Sequence, residues 1–574
     1  MPVFRPVAPS RALSFSIIAL ALSSTVNAGG LDLPTIAAAH QGTANANGAA
    51  ANDPSFLYYN PAGLAHMKGG LQVSQSFSAL FLRGKVEADL ANTRHGAGTS
   101  GQANSGDSVA DTNTGAPGSF WPQVLGAGGA FVSMPVNDMI TAGIGVFAPG
   151  GGNINYKSDW AGAYHIDSIA IELININPSM SIRFDDMHSI GLGVSVIGGH
   201  IKQKSQIDVA GVSPFLLRSA LDSKSLSPGG IQAIGETLGG LFGAACNSDG
   251  LVGGITSGLG LSPVQDLVDG LCGTVVLDTL GGLLTEEGSN GSATVEMYGY
   301  GFGYNFGYMF APSERTRFGI AYRSESKIKL RGTLEWDLDD LQGSTVTNGI
   351  IATPIVSQLF NNGQTLEEYL QDYLRPDTTA KSELIIPART SVNVFHKLTD
   401  KIDLMADFTF IESSAVDKIR VSFNDRVDPN GNTIKQGDAG LDTNWDDSYK
   451  VSIGGNYHWN DQLTLRTGFQ FDKTPVPSAE FRHPGAPDSD RYMYAIGANY
   501  KVNNNLSIDA AYSVTFLENS LSNYTERCRT LTRDDENGNY DPDGESCTAN
   551  GGTFRGRFYD TAIQVLSVQM NQKF

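Results

Sequence analysis

Charge is scarce in this chain and positive charge scarcer still. Only 17% of the 574 residues are Asp, Glu, Lys or Arg, and 59 acidic against 39 basic residues leave a formal net charge of −20. Without a basic footprint there is nothing to neutralise a phosphate backbone, so nucleic acid drops out as a partner. Cysteine is nearly absent, at four residues. None lies in a CxxC pair with histidines nearby, so no zinc site is expected. Beyond Ala28 no apolar run reaches the roughly 20 residues that a membrane-spanning helix requires. No nucleophile motif joins a serine, a histidine and an acid, so a lipolytic enzyme has no nucleophile to work with. No motif calls for a cofactor.

Glycine, by contrast, is abundant. Its 67 residues follow no Gly-X-Y period, and a hydrophobic content of 41% excludes wholesale disorder. A folded, turn-rich chain remains.

Arg5 and Arg11 precede an apolar stretch from Ala12 to Leu22, and Val26-Asn27-Ala28 offers a small-residue cleavage site. This is the layout of a secretory signal over residues 1–28. An exported chain meets an oxidising compartment, and the cysteines fall as two close pairs, Cys246 with Cys272 and Cys528 with Cys547. Two local disulfides are the simplest connectivity.

Between Thr294 and Phe310 the even positions include Tyr298, Tyr300, Phe302, Tyr304, Phe306 and Tyr308, while Gly299, Gly301, Gly303, Asn305 and Gly307 stand between them. This is strand alternation. A soluble sandwich would back an aromatic face with charge; here the backing is glycine. Lipid on one side and a lumen on the other account for both faces, so the expected fold is all-β, a closed antiparallel transmembrane β-barrel. Gly299, Gly301, Gly303 and Gly307 would then leave inward volume for a ligand or for the chain that precedes the first strand. At the carboxy terminus Leu566, Val568, Met570 and Phe574 share one face, and Ser567, Gln569, Asn571 and Lys573 the other. A last strand ending on Phe574 resembles the signal read by the barrel assembly machinery.

Comparable runs at 71–86, 124–134, 139–147, 171–184, 189–207, 317–336, 389–397, 402–423, 449–459, 463–472, 491–501 and 506–516 bring the expected count to about fourteen strands. Tight polar turns such as Val136-Asn137-Asp138 and Asn460-Asp461 alternate with connections of tens of residues, as periplasmic turns and outer loops do. Two of those loops carry helical signals, with capping boxes at Ser262-Pro263-Val264-Gln265 and Thr365-Leu366-Glu367-Glu368. Such helices pack on one another, or also leave an apolar groove outside. The last loop, rich in acids from Asp534 to Glu545, has a calcium-like alternation of oxygen ligands but lacks a complete EF-hand pattern; a solvated acidic turn is the favoured reading and calcium binding the alternative.

If Phe318, Ile320 and Tyr322 face lipid, the odd face of 317–336 looks inward and carries Arg323. The same phasing turns Arg389 and Arg466 into the lumen. An inward arginine suits a carboxylate ligand; otherwise it pairs with inward carboxylates such as Asp403 or Asp407, or with the chain before the first strand. His200 and Lys202, beyond a bulge expected at Gly198-Gly199, are weaker lumen candidates.

Residues 29–70 are too few for a domain and too apolar for a linker. They end in Ser55-Phe56-Leu57-Tyr58-Tyr59-Asn60-Pro61-Ala62-Gly63-Leu64. The Asn-Pro-Ala-Gly segment soon after a signal resembles the FadL family of outer-membrane transporters for long-chain fatty acids and other hydrophobic compounds. Phe147-Ala148-Pro149, Asp159-Trp160-Ala161-Gly162-Ala163-Tyr164, Asn175-Ile176-Asn177-Pro178-Ser179, Tyr322-Arg323-Ser324, Trp445-Asp446-Asp447-Ser448-Tyr449, Arg466-Thr467-Gly468, Pro475-Val476-Pro477 and Pro487-Asp488-Ser489-Asp490-Arg491 follow in family order. The resemblance implies a monomeric barrel over 71–574, closed by an amino-terminal hatch over 29–70. It also implies an outer groove of low affinity, a tighter inner site and exit through the wall. Leu31 and Leu33 match the apolar residue that reaches the inner site, and Asn60, Pro61, Ala62 and Gly63 would set the hatch's path, proline by fixing φ and asparagine by bonding its own backbone. Ala163 stands where arginine is common, a departure that removes a carboxylate contact. The implied function is passive passage of long-chain fatty acids or similar hydrophobic molecules across the outer membrane of a Gram-negative bacterium. Alkane or aromatic-hydrocarbon uptake is the alternative within the family, and a polar-solute porin the alternative outside it.

Non-reducing peptide mapping of the exported protein should recover Cys246 linked to Cys272 and Cys528 linked to Cys547. A peptide joining Cys246 to either distal cysteine would overturn the pairing.

Overall fold

A computed structural model describes residues 36–50, 52–67, 69–91, 119–120, 124–156, 160–207, 291–337, 377–427, 431, 433–434, 439–526 and 552–574. The expected signal, Leu31 and Leu33, all four cysteines, the helical loop patterns and the acidic last loop lie outside the described residues.

Fourteen antiparallel strands close on themselves. In chain order they are β1 (Gln72–Ala91), β2 (Val124–Pro135), β3 (Ile140–Phe147, resumed as Gly151–Asn155), β4 (Ser168–Arg183), β5 (His188–Ile207), β6 (Gly291–Ser313) and β7 (Thr316–Arg323, resumed as Ser326–Asp337). They continue as β8 (Thr378–Ile386 and Arg389–Lys397), β9 (Ile402–Ile411 and Lys418–Phe423), β10 (Ser448–His458), β11 (Leu463–Asp472), β12 (Arg491–Lys501), β13 (Leu506–Leu517 and Ser520–Glu526) and β14 (Gly552–Lys573). Closure is made by β14 on β1, from Gln72 opposite Lys573 to Ala91 opposite Phe554. Every stretch read from alternation contains one of these strands.

The two faces differ as the period-two pattern requires. Tyr300 and Phe302 of β6 are 65% and 63% exposed on the outside, whereas Asn305 and Met309 between such residues are buried. On β14, Leu566 and Val568 point out while Ser567 and Gln569 are fully buried. An apolar belt of this extent is stable only against hydrocarbon, since each exposed aromatic would otherwise forfeit about 25 cal/mol per Å².

β7 changes phase along its length. Arg323 opposes Asn305 of β6, but Lys329 opposes Tyr300, so β7 contains one residue more than its partner. The extra residue sits at Ser324-Glu325. Ser324 satisfies the ladder there, its amide donating to the Tyr304 carbonyl and its hydroxyl accepting from the Tyr304 amide, each at 2.9 Å. Below this point the even residues look outward. Above it Lys327, Lys329 and Arg331 do. Unbroken alternation over 317–336 would have placed those cations in the lumen, so the single inward odd face expected for this stretch holds only as far as Arg323.

Residues 36–67 fill the lumen with α1 (Ala38–Gln41), α2 (Phe56–Tyr59) and a 3₁₀ turn over Pro61–His66. Ala37, Ala38, Ala39, Ala44, Ala46, Ala49 and Ala50 are completely buried, and their small side chains let the backbone run close to the wall. Inward glycines make room for it. A Cβ added at Gly191 would collide with Pro61 and Ala62, one at Gly468 with Thr43, one at Gly307 with Asn60, and one at Gly497 would come within 2.9 Å of the Gly42 Cα. Gly299, Gly301 and Gly303 serve a different purpose from the one expected. A Cβ at the first two would strike the β7 carbonyls of Lys329 and Lys327, and one at Gly303 the Ser326 hydroxyl. Those three allow β7 to approach at its bulge; of the four, Gly307 is the one that borders the amino-terminal segment.

Gly191→Leu and Gly468→Leu should therefore unseat residues 36–67 while the wall stays paired. Limited proteolysis should cut within that segment and heat-modifiable migration on gels should persist. Gly301→Leu should impair the heat-modifiable form itself. Protection of the segment in both of the first two variants would contradict the steric account.

Candidate functional site

The turn at Asn60 ties the amino-terminal segment to the wall. Its Oδ1 accepts from the Ala62 amide at 3.0 Å, and its Nδ2 donates to the carbonyls of Tyr308 on β6 and Ile320 on β7 at 3.2 and 3.4 Å. Pro61 starts the turn, where its missing N–H costs nothing. Gly63 lies against the Phe56 ring with no space for a Cβ, and the Ala62 carbonyl accepts from the Ser189 hydroxyl at 3.1 Å. Further back, the Gly48 amide donates to Asp407 Oδ2 at 2.8 Å.

Two of the three inward arginines frame Tyr58. Arg323 donates to the Tyr58 carbonyl at 3.0 Å and to the Ser195 hydroxyl at 3.2 Å, and its guanidinium lies 4.9 Å from the centre of the Tyr58 ring. Arg389 covers the same ring at 5.0 Å. Arg466 is engaged elsewhere, buried against Asp509 and donating to the Ala39 carbonyl at 3.3 Å. Of the carboxylates weighed as partners, Asp407 takes the Gly48 amide, and Asp403 accepts from His458 and Asn456 at 2.8 and 3.1 Å.

Arg389 also lines a cavity that the inner faces of β8 to β12 share with Pro149 of β3. Its lining is in part apolar, with Ile386, Pro387, Ile411, Trp445 and Pro475, and in part charged, with Lys450, Asp472 and Arg491. Lys450 Nζ and Arg491 Nη2 reach Asp472 Oδ2 at 3.2 and 3.1 Å, and Arg491 Nε stands 3.7 Å from Asp488. Burial pushes the Asp488 carboxyl up, against the pull of Arg491. Asp472 Oδ1 is buried without a hydrogen-bond partner among the described residues. The lining thus offers both apolar and cationic contacts. Lys450, Asp472 and Arg491 were not foreseen as site residues. Alternation does turn Lys450 inward between Tyr449 and Val451, but nothing in the pattern shows which inward residues on distant strands meet.

The wall is open beside Pro149. Pairing of β2 with β3 ends at Gly129 opposite Phe147, followed by a 3.4 Å bond from the Ala148 amide to the Gly128 carbonyl. Proline then removes a donor and Gly151, at φ 139°, turns the chain, so that Gly151–Asn155 pairs with β4 alone. Residues 124–128 of β2 keep β1 on one side and have no β3 partner on the other. Above the gap Tyr156 stacks on Trp160 at 3.8 Å, and Ala163 is buried in the same apolar cluster with Ile166 and Phe554. A small residue suits that packing, where an arginine would be enclosed in apolar surroundings.

His200 and Lys202 lie on the outer face, contrary to expectation. The β5–β6 register runs without a shift from His188 opposite Phe310 to Ile207 opposite Gly291, so Gly198-Gly199 adds no bulge there. His200 stacks on outward Tyr298 at 4.2 Å between Glu172 and Glu296, and Lys202 pairs with Glu296 at 3.1 Å. Ile197 and Ile201 take the inward positions.

Residues 19–574 match the model of the family described as outer membrane protein transport protein (OMPP1/FadL/TodX). The chain is 26% identical over 494 residues to a putative outer membrane protein of Neisseria meningitidis serogroup B, covering 86% of each. It is 24% identical over 456 residues to the long-chain fatty acid transport protein of Shigella flexneri, covering 79% of this chain and 83% of that one. A solved FadL homologue of Pseudomonas aeruginosa aligns with a TM-score of 0.61 at 22% identity, over 95% of this chain and 100% of that one. The toluene transporter TodX of P. putida aligns at 0.52 and 15%, over 95% and 99%. These structural likenesses establish the closed barrel, and the family match over nearly the whole chain places it in the outer membrane. The protein belongs to the OMPP1/FadL/TodX family of outer-membrane transport proteins.

Proposed function

We propose that this chain conducts long-chain fatty acids or similar hydrophobic molecules passively into the outer membrane, as a monomer, with residues 29–70 acting as a movable hatch. The observation that carries the reading is the cavity that is cationic at Lys450, Arg491 and Arg389, apolar at Trp445 and Ile411, and bordered by Pro149 at the gap in the wall. Uncharged aromatic hydrocarbons or alkanes would use the apolar lining alone; the presence of Arg389, Lys450 and Arg491 in the lining favours a carboxylate head. A lumen filled by residues 36–67 supports a gated path over an open polar-solute pore. No step in this passage breaks or forms a covalent bond.

Lateral exit follows from the solvation of the two routes. Toward the short turns, the space under the hatch is lined by polar groups such as Asn456, His458, Asp509 and Asn571. A chain entering it would return about 0.8 kcal/mol per CH₂ to water. Sliding through the gap into lipid keeps that gain, so no nucleotide is needed. Opening then requires movement of Tyr58, which joins Phe131, Phe147 and Ile36 in one apolar cluster and is framed by Arg323 and Arg389.

Arg389→Gln should weaken oleate binding about ten-fold, the worth of one charge-assisted hydrogen bond. Binding of an uncharged alcohol of the same length should hold constant in calorimetric titration; equal losses for both would remove the headgroup role. Deleting Ala148–Gly150 lets β3 continue straight, and nucleotide-free uptake into proteoliposomes should fall to background with the folded barrel retained. Unchanged uptake would direct the exit to the periplasmic mouth instead.

A further inference from the structure

The one-residue insertion in β7 leaves a feature that the transport path does not use. Past Ser324-Glu325 it turns Lys327, Lys329 and Arg331 onto the outer surface, and the matching break in β8 does the same for Lys381. Arg331 stands directly opposite Lys381 on the same face. Like charges in that position repel across a sheet unless an anion lies between them. Of the neighbouring acids, Glu296 is held by Lys202, His200 and Tyr298, Glu325 and Glu383 approach Lys327 at 3.5 and 4.0 Å with Glu383 opposite Lys329 in the ladder, and Glu335 accepts from the Thr333 hydroxyl. Among the described residues no carboxylate contacts Lys329, Arg331 or Lys381, and Lys381 reaches only the Asn424 side chain, at 3.3 Å.

Height on the wall identifies what these cations meet. Arg331 lies beside Tyr298 and Lys329 beside Tyr300. From Phe310 at the periplasmic turn to Tyr298 is about a dozen residues, which at roughly 3.3 Å each and a tilt of about 40° span about 30 Å. That is the hydrocarbon thickness, so the cations stand at the outer headgroup level. Level with Lys329 stands Tyr300, and below it Phe302, both exposed aromatics. Phosphate above and acyl chains below are the two halves of one kind of molecule.

We infer that Lys329, Arg331 and Lys381, with Tyr300 and Phe302 beside and below them, bind a phosphorylated glycolipid of the outer leaflet, its phosphates between the cations and its acyl chains along the aromatics. The site is independent of the cargo and of the lateral gap, which lies on β2 and β3.

The test titrates hexa-acyl lipid A into the delipidated full-length barrel in detergent, with binding read by native mass spectrometry. Lys329→Gln/Arg331→Gln/Lys381→Gln should lose about ten-fold in affinity, as expected for removed charge-assisted contacts. Arg315→Gln, on the periplasmic turn, should bind as the parent does. On the unaltered protein, dephosphorylated lipid A should bind more weakly than the phosphorylated form, a comparison that holds whatever the variants do to folding. Parental affinity in the triple variant would overturn the assignment. So would equal binding of dephosphorylated lipid A, tighter binding of phosphatidylglycerol, or full displacement by inorganic phosphate, which would indicate a small-anion site only.

Discussion

A bilayer interior supplies no hydrogen-bond partner to a peptide group, so each strand crossing it must be paired on both sides by its neighbours. That requirement closes β14 onto β1 and makes every departure from regular pairing costly. Two departures show how that cost is managed. In β7 the Ser324 side chain replaces the missing ladder bond. In β3 Pro149 removes a donor just where the partner strand is lost, so one fewer group is left unsatisfied. The first irregularity re-aims side chains and the second opens the wall.

Filling the lumen poses the opposite problem, since a chain inside a barrel brings its own backbone donors and acceptors. Residues 36–67 meet it with alanine and glycine for close approach and with inward side chains as partners: Gln569 accepts from the Ala39 amide, Asp407 from Gly48, and Asn60 bridges to β6 and β7. These polar contacts stand beside apolar ones, with Phe56 and Ala62 packed on Met309, Phe395 and Met405. Each polar contact can be exchanged for water with little net loss, about 0.5–1.5 kcal/mol, as the proposed movement of the segment requires.

Charge is partitioned by position and by face. Arg466 and Asp509 neutralise one another beside residues 36–67, the cavity of β8 to β12 gathers Arg389, Lys450 and Arg491 with Asp472, and the outer surface carries Lys329, Arg331 and Lys381. A net charge of −20 describes the whole chain and conceals these local reversals.

Period two, read from side chains alone, was enough to recognise the barrel, its strands, its short turns and the inward arginines, because lipid and lumen select opposite residue types at adjacent positions and that contrast is local. The family resemblance and the chemistry of proline and asparagine, not alternation, marked Asn60-Pro61-Ala62-Gly63 as a tight path. What alternation could not show depends on pairing between strands. A single inserted residue in β7 reverses every later side chain without altering composition, and an unbroken β5–β6 register carries His200 and Lys202 outside. The meeting of Pro149, Lys450, Asp472 and Arg491 joins positions hundreds of residues apart. Alternation records which environment each residue faces, whereas register and closure determine which residues face each other, and only the tertiary structure holds that information.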